Sequence, residues 1–220
     1  MWLLYILISF TFVKKSEQVM RFMIIFGRTT YKMNKILVNE IKSIGNFSKD
    51  DIELFFSFLD ESFIAKGDHF LSEGQISHYV AYIVSGLTMH YEVHDGIEIP
   101  RAFRIENQWI GALKNFGNRE PADSAIKALE DTLLLGISAV NLQKAFQIQP
   151  KLIALKDHYT ELSFIKNMQH GSDLAMLNAK QRYYKFMRES PDLINRVPQY
   201  YIAAYLGIKP QSLSRLRKEK

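Results

Sequence analysis

Residues 196–220 read RVPQYYIAAYLGIKPQSLSRLRKEK, a pattern that predicts two short helices joined by a tight turn. Pro198 suits a helix start because its missing N–H costs nothing there, and apolar residues follow it at helical spacing. Gly207 fits the left-handed residue that ends a helix, and Pro210 suits the first position of the second helix. This layout is typical of a helix-turn-helix, whose second helix enters the major groove of DNA.

The second helix has an inward and an outward face. Leu213 and Leu216 are three residues apart and face inward. We expect DNA contacts from the polar and basic residues of the outward face and its start, which are Lys209, Gln211, Ser212, Ser214, Arg215 and Lys218. Gln211, Ser212 and Arg215 are the candidates for base edges, because glutamine and arginine form bidentate bonds with adenine and guanine. Lys209, Ser214 and Lys218 would contact phosphates.

A simpler interpretation of this end of the chain stays open. Two amphipathic helices can close a domain without touching nucleic acid. Basic residues at the C-terminus of a helix are also favoured by the helix dipole alone.

The composition is that of an ordinary globular protein of 220 residues, with 47% apolar and 23% charged residues. The chain has no cysteine, which excludes disulfides, thiol catalysis and thiolate metal sites and is consistent with a cytoplasmic location. The net charge of +5 is uneven: +4 in residues 1–32, +4 in residues 198–220 and −3 between them. A basic end on a mildly acidic body suits a module that presents one face to phosphates.

The first 32 residues begin with thirteen uncharged, mostly apolar residues followed by Lys14 and Lys15. A secretory signal places its charge before the apolar run, and this run is too short to span a membrane. Three interpretations remain: an upstream extension before a true start at Met33, an extra helix packed on the body, or a weak membrane anchor. The helical pattern that follows Met33 favours the first, so we expect no membrane partner.

Short strands separated by turns are predicted for residues 63–137. Glycine turns recur at Gly67, Gly74, Gly86 and Gly96, and the Asp95-Gly96 pair predicts a β-hairpin. Regular short strands of this kind argue for a small antiparallel barrel or jelly roll. Two amphipathic helices precede the strands, and Ser48 is placed to cap the second of them.

Helical periodicity returns from Asn141. Ile148 and the four apolar residues after it step by 4, 3, 4 and 3, and these four predict a seam for a homodimer: Leu152, Leu155, Tyr159 and Leu162. Ile165 and Met168 could continue this seam. The same seam could pack inside its own chain, but reading two DNA half-sites needs a fixed spacing, which favours the dimer. Pro150 would mark the start of this long helix, and Gly171 with Ser172 would interrupt it as a hinge.

A further helix is predicted over residues 178–190. Its basic residues could contact phosphate or simply face solvent; they are Lys180, Arg182, Lys185 and Arg188.

Across residues 33–220 the chain resembles the cyclic-AMP receptor/FNR family of bacterial transcription regulators. The pieces that carry the resemblance occur in the family's order: Lys66-Gly67-Asp68, Glu73-Gly74, Tyr82-Ile83-Val84-Ser85-Gly86, Pro121-Ala122, Ala128-Leu129-Glu130-Asp131, Arg182-Tyr183, Ile202-Ala203-Ala204-Tyr205-Leu206-Gly207-Ile208 and Leu213-Ser214-Arg215.

The resemblance implies an α+β architecture. An N-terminal double-stranded β-helix (jelly-roll) sensor domain would occupy residues 33–140, a dimerisation helix 141–170 and a helix-turn-helix domain 171–220, with 1–32 as a doubtful extension. Many family members carry a β wing after the recognition helix, and none is evident before Lys220.

The ligand-binding members of this family hold a cyclic nucleotide with a Gly-Glu pair and an Arg-Ser or Arg-Thr pair. The corresponding positions here carry Gly111-Ala112 and Ala122-Asp123. Losing the arginine removes a charge-assisted contact to the phosphate, and the aspartate would repel it. We therefore expect the effector, if there is one, to be a small molecule other than cyclic AMP. Arg119 could replace the missing arginine.

No enzyme and no metal site is expected. His90, His94 and Glu98 are spaced by four, but His94 abuts the Asp95-Gly96 turn, so the three cannot share one strand.

The sequence thus predicts a cytoplasmic, homodimeric, sequence-specific DNA-binding transcription regulator. Its expected partners are double-stranded DNA and a second copy of the chain, with RNA polymerase and an unidentified small-molecule effector as candidates. The alternative is a small-ligand or cyclic-nucleotide binding module whose C-terminal helices contact protein.

Overall fold

The computed structural model describes residues 34–112, 116 and 120–218. The chain divides between Asn39 and Glu40 into two units, and apart from the start of the first helix the architecture below is that of the second. Among the described helices, none has both the length and the apolar character that a membrane crossing requires. The interpretations of residues 1–32, and the expectation for Arg119, fall outside the described residues.

The described residues include eight strands in two four-stranded antiparallel sheets. The strands are β1 Asp60–Ile64, β2 His69–Leu71, β3 Tyr79–Ser85, β4 Thr88–His94, β5 Ile97–Arg104, β6 Trp109–Ile110, β7 Ala125–Ala128 and β8 Thr132–Ser138. One sheet has the order β1-β8-β3-β6 and the other β2-β7-β4-β5. Buried Ile83 and Leu134 of the first sheet pack in one cluster with Leu71 and Ile126 of the second. The predicted α+β class with a jelly-roll sensor domain is confirmed.

The hairpin between β4 and β5 forms where the sequence predicts it. Asp95 and Gly96 both have positive φ, 51° and 76°, which is the conformation of the two central residues of a type I′ turn. The flanking residues His94 and Ile97 are direct cross-strand partners.

Helix α1 (Lys35–Ile44) and helix α2 (Lys49–Phe56) precede the strands. Ser48 caps α2 as predicted: its Oγ accepts a hydrogen bond from the Asp51 N–H at 3.2 Å, and the Asp51 carboxylate accepts from the Ser48 N–H at 2.6 Å. This reciprocal pair is a capping box, which satisfies two backbone donors at the helix start.

Helix α3 (Ala139–Ile148) and a 3-10 turn at Pro150–Leu152 lead into the long helix α4 (Ile153–Met176). The long helix therefore starts near Pro150, as predicted. The predicted interruption at Gly171 and Ser172 is wrong, because α4 continues for five residues beyond Gly171. One glycine weakens a helix by only about 1 kcal/mol, which the surrounding helix tolerates. The break comes at Leu177, whose ψ of 143° is extended.

Four helices form the C-terminal part, which we call the head: α5 (Ala179–Glu189), α6 (Leu193–Arg196), α7 (Gln199–Tyr205) and α8 (Pro210–Lys218). The head packs against the sheet that contains β4 and β5. Met89 and Phe103 of these strands share one buried cluster with Phe186, Tyr201 and Ile202 of the head. The sheet that contains β4 and β5 and the head thus have a common core.

Candidate nucleic-acid interface and internal cavity

Helices α7 and α8 form the predicted helix-turn-helix. Gly207 has a φ of 62°, the left-handed conformation that ends α7, and Pro210 is the first residue of α8. The N–H of Ile208 donates to the Ala203 carbonyl at 2.9 Å, which closes the turn. Ala203 is fully buried, so α8 can pack closely against α7.

The turn is held from outside by Arg182 of α5. Its Nε donates to the Leu206 carbonyl at 2.7 Å, and its Nη1 donates to the Leu177 carbonyl. These two carbonyls belong to the ends of α7 and α4, where the helices leave acceptors unpaired. Arg182 is therefore a structural residue of the head, and it is not placed for the phosphate contact suggested by the sequence.

Lys185 is likewise engaged inside the chain. Its Nζ lies 2.8 Å from the Asp173 carboxylate, and both side chains are largely buried. Burial opposes ionisation of Asp173, but its bonds to Lys185 and Gln169 outweigh that and lower the Asp173 pKa. Arg188 is exposed and pairs with Glu189 at 3.2 Å.

The side chains on the outward face of α8 are exposed to solvent. Leu213 and Leu216 are buried, as predicted, and anchor the helix. The six predicted contact residues are all exposed: Lys209, Gln211, Ser212, Ser214, Arg215 and Lys218. Within residues 34–112, 116 and 120–218, no carboxylate pairs with the cations of this set, so their charges face solvent.

A cavity of about 810 Å³ lies between the β-strands and helix α4. This volume is within the range of small-molecule binding sites in proteins. Its walls include Thr88 and His90 of β4, Arg104 of β5, Trp109 of β6 and Tyr159 of α4. The site is thus closed on one side by the long helix and on the other by the sheets.

The degenerate nucleotide cassette lies at this cavity. Gly111, Ala112 and Asp123 line it, and Asp123 is exposed, while Ala112 and Ala122 are buried. The N–H of Ala122 donates to the Gln75 carbonyl at 2.8 Å, so that amide is already engaged. The cassette positions therefore offer neither a cation nor the Ala122 amide to a phosphate.

The first residues of the predicted dimer seam face their own chain. Leu152 is fully buried and Leu155 is 3% exposed, whereas Leu162 is 39% exposed, and Leu152, Leu155, Tyr159 and Leu162 all line the cavity wall. Leu152 and Leu155 cannot contact a second copy in this arrangement. Their part of the heptad pattern has another cause, because it lies on the face that the chain turns toward its own cavity.

Leu162 and the two residues that could continue the seam, Ile165 and Met168, are among the apolar residues that α4 exposes. Phe164 is 62% exposed, Ile165 is 53% exposed and Met168 is 61% exposed. Residues three and four apart share a helix face, so these three form one surface, which we call the α4 apolar face.

The histidines and Glu98 named in the sequence are used separately. His90 Nε2 lies 2.8 Å from Ser124 Oγ, and burial lowers its pKa. His69 Nε2 lies 2.8 Å from the Tyr91 hydroxyl, and Glu98 accepts from Lys127 at 2.6 Å. No group of three potential metal ligands occurs within the described part of the chain.

Sequence reasoning missed the contact that joins the head to the β-sheet domain. Arg196 of α6 donates to Glu106 at 2.9 Å, to Glu130 at 2.7 Å and to the Gly86 carbonyl at 3.2 Å. The bond from Arg196 is the main cause that lowers the Glu106 pKa to about 2. Glu130 belongs to a motif that the sequence singled out, but its partner is 66 residues away, and no local pattern indicates such a pair.

Three solved structures show how the fold compares with known ones. The structure of FixK2 from Bradyrhizobium japonicum matches with a TM-score of 0.64 at 19% identity, covering 73% of this chain and 83% of that one. The c-di-GMP responsive global regulator CLP of Xanthomonas campestris matches with a TM-score of 0.62 at 18% identity, covering 78% and 91%. A Eubacterium rectale protein described as a crp/fnr-family transcriptional regulator matches with 0.62 at 16% identity, covering 79% and 83%.

No protein-family model matches the chain, and no curated protein matches it in sequence. The structural matches show that the chain has the fold of crp/fnr-type regulators.

Proposed function

We propose that this chain, which has the fold of crp/fnr-type transcription regulators, is itself a sequence-specific regulator that binds double-stranded DNA. The observation that carries the proposal is helix α8, whose outward face holds exposed glutamine, serine and arginine without internal partners among the described residues. A helix-turn-helix with such a face has the geometry that reads the major groove. The fold of the three solved structures supports the same conclusion.

Two kinds of contact are proposed for this face. Gln211, Ser212 and Arg215 occupy the first turns of α8 and would contact base edges. Lys209, Ser214 and Lys218 would contact phosphates and set the register of the head.

The proposed active form is a homodimer. A single short recognition helix makes few contacts, and two copies would bind a two-fold symmetric site with half-sites at a fixed spacing. The α4 apolar face is the surface we assign to this dimer, because its three apolar side chains are each more than half exposed.

Cyclic AMP is not the proposed effector. An aspartate stands at the cavity where the resemblance expects a phosphate-binding residue, and the Ala122 amide is engaged by Gln75. We expect cyclic AMP at millimolar concentration to leave DNA affinity unchanged, measured by fluorescence anisotropy with an operator duplex. A shift of tenfold or more would overturn this part of the proposal.

A cytoplasmic location and a contact with RNA polymerase belong to the same proposal. They follow from the role of a DNA-binding regulator.

The proposal is tested by selecting bound duplexes from a random pool with the full chain and reading the recovered sequences. Enrichment of a two-fold symmetric site, with log affinity falling steeply against log salt, would support a dimeric regulator. No enrichment, with and without added cell extract to supply an effector, would overturn it and favour protein contacts for the head.

The base-reading role is tested on Arg215. Arg215→Ala should weaken binding to the selected site by roughly 1–3 kcal/mol and relax the preference at one base pair. Lys144→Ala is the matched control, since Lys144 is an exposed cation of α3, outside the head, and should leave affinity unchanged. An equal loss for every duplex sequence would make Arg215 a phosphate contact.

A further inference from the structure

The large cavity contains a polar group that the chain itself does not satisfy. Thr88 Oγ1 is buried and has no hydrogen-bond partner within the described residues, and Thr88 lines the cavity. Thr88 is fully buried. A hydroxyl can donate a hydrogen bond. A buried donor without an acceptor is costly, so its place in the cavity wall points to a ligand that supplies an acceptor.

The cation Arg104 lies beside the Thr88 hydroxyl. Thr88 and Arg104 are direct cross-strand partners in the β4–β5 pair, so their side chains are neighbours on one face of the sheet. The hydrogen bond that Arg104 makes is to the neighbouring Phe103 carbonyl at 3.1 Å. Among the described residues, no carboxylate forms an ion pair with it.

Further basic groups lie close to Arg104. Burial and the charge of Arg104 both lower the pKa of Lys166, on α4, and of His90, on β4. Each of these groups lines the same cavity. Repulsion between cations in one place is relieved by an anion.

The acidic residues of the wall do not cancel this charge. Glu92 is paired with Arg101 at 2.5 Å, and both side chains are well exposed. Asp123 is exposed. Glu40 acts on Lys166 in the opposite direction to Arg104, and its own hydrogen bond is to Tyr159 and not to Arg104.

We infer that this cavity binds a small organic anion with an apolar body. Its acid group lies against Arg104 and Thr88, with Lys166 closing from α4. Its body lies toward the rings of Trp109 and Tyr159, whose centroids are 5.4 Å apart. This anchor is on strand β5 and not in the Ala122-Asp123 segment. As an effector site, it rests on the proposed regulatory function.

Arg104 also connects the cavity to the head. It lines a second cavity of about 320 Å³ together with Tyr205 and Leu206 of the helix-turn-helix. The ring of Tyr205 lies 5.3 Å from that of Phe103, the residue before Arg104, and stacks on His170 of α4 at 4.1 Å. A ligand that moves Arg104 therefore acts directly on the packing of α7.

A pair of fluorescent dyes tests the inference with the full chain. 8-Anilino-1-naphthalenesulfonate and N-phenyl-1-naphthylamine share an apolar body, and only the first carries an acid group. We expect the sulfonate to bind at least tenfold more tightly than the neutral dye. Equal affinities would overturn the inference, because apolar burial alone would then explain the binding.

Substitution of Arg104 provides a second test of the anion site. Arg104→Met should weaken the sulfonate at least tenfold and the neutral dye less than threefold, and Arg104→Lys should restore part of the difference. Lys144→Met is the control, since Lys144 is an exposed cation of α3 that does not line the cavity, and it should change neither dye. An equal loss of both dyes in Arg104→Met would overturn the assignment of Arg104.

Thr88→Val keeps the test independent of the folding of the arginine variants. Removing the hydroxyl while keeping the shape should lower the ratio of the two affinities at least threefold, and an unchanged ratio would overturn the role of Thr88. Dye binding is measured without DNA. If the dyes bind as expected and the chain selects no DNA site, the anion site stands and the regulatory proposal fails. If the chain selects a DNA site and the dyes do not bind as expected, the regulatory proposal stands and the anion site fails.

Discussion

Single residues of the turns show how local geometry limits substitution. Gly86, between β3 and β4, has a φ of 109°, and a Cβ there would lie 2.4 Å from Thr132 Oγ1 and 2.7 Å from the Asp131 carbonyl oxygen. Gly96, in the β4–β5 hairpin, has a φ of 76°, and a Cβ there would meet nothing within 4 Å. A side chain at either position would strain the backbone because φ is positive, and only at Gly86 would it also clash with neighbouring atoms.

We therefore expect Gly86→Ala to cost roughly 2–6 kcal/mol of unfolding free energy, because backbone strain and overpacking add. Gly96→Ala should cost roughly 1–3 kcal/mol from strain alone. Urea unfolding at constant protein concentration measures both. Equal losses would show that the Thr132 contact relaxes without cost.

At the scale of elements, helix α4 divides its two faces between two tasks. One face buries Leu155 against its own chain, and the other exposes the α4 apolar face. Exposed apolar patches on a globular protein mark interaction surfaces.

The double variant Ile165→Asp with Met168→Asp should raise the dimer dissociation constant at least tenfold, since an unpaired carboxylate in an apolar interface is costly. Sedimentation across a concentration series measures this. Val140→Asp is the control, because Val140 is 55% exposed on α3 and lies outside α4. A dimer that survives the double variant, or falls apart equally in the control, would place the interface elsewhere.

At the scale of the whole molecule, Arg196 connects the head to the β-sheet domain. Its guanidinium is shared by Glu106 and Glu130, and all three side chains are roughly one quarter to one third exposed. Arg196→Met would leave these two carboxylates without their common partner, so we expect a loss of roughly 1–3 kcal/mol in unfolding free energy. Arg188→Ala, an exposed pair of the same head, should cost less than about 1 kcal/mol.

The same contact has a defined pH dependence. The pKa of Glu106 is lowered from 4.5 to about 2, so its contribution to stability is present above pH 4.5 and is lost as the pH falls toward 2. Urea unfolding at pH 7 and pH 3 should therefore show a larger acid loss in the natural protein than in Arg196→Met. Identical acid losses in the two proteins would contradict the assignment of this pair.

Sequence alone was sufficient wherever the cause is local. The Asp95-Gly96 hairpin, the Ser48 cap, the Gly207 turn and the Pro210 helix start each depend on residues within a few positions, and all are confirmed. The inward Leu213 and Leu216 follow from helical period, which a buried helix face imposes. The exposed α8 face was predictable for the same reason.

Only the tertiary structure decided what depends on distant partners. A heptad pattern states that one face of the helix is buried, but it does not say whether its own chain or a second copy covers it, and here Leu152 and Leu155 are buried within their own chain. Arg182 and Lys185 were predicted as surface cations, and distant carbonyls and Asp173 engage them. Thr88 and Arg104 become neighbours through strand pairing across 16 residues of sequence. Long-range pairing carries no local signal, because any exposed strand position tolerates the same residues until the fold brings a partner to it.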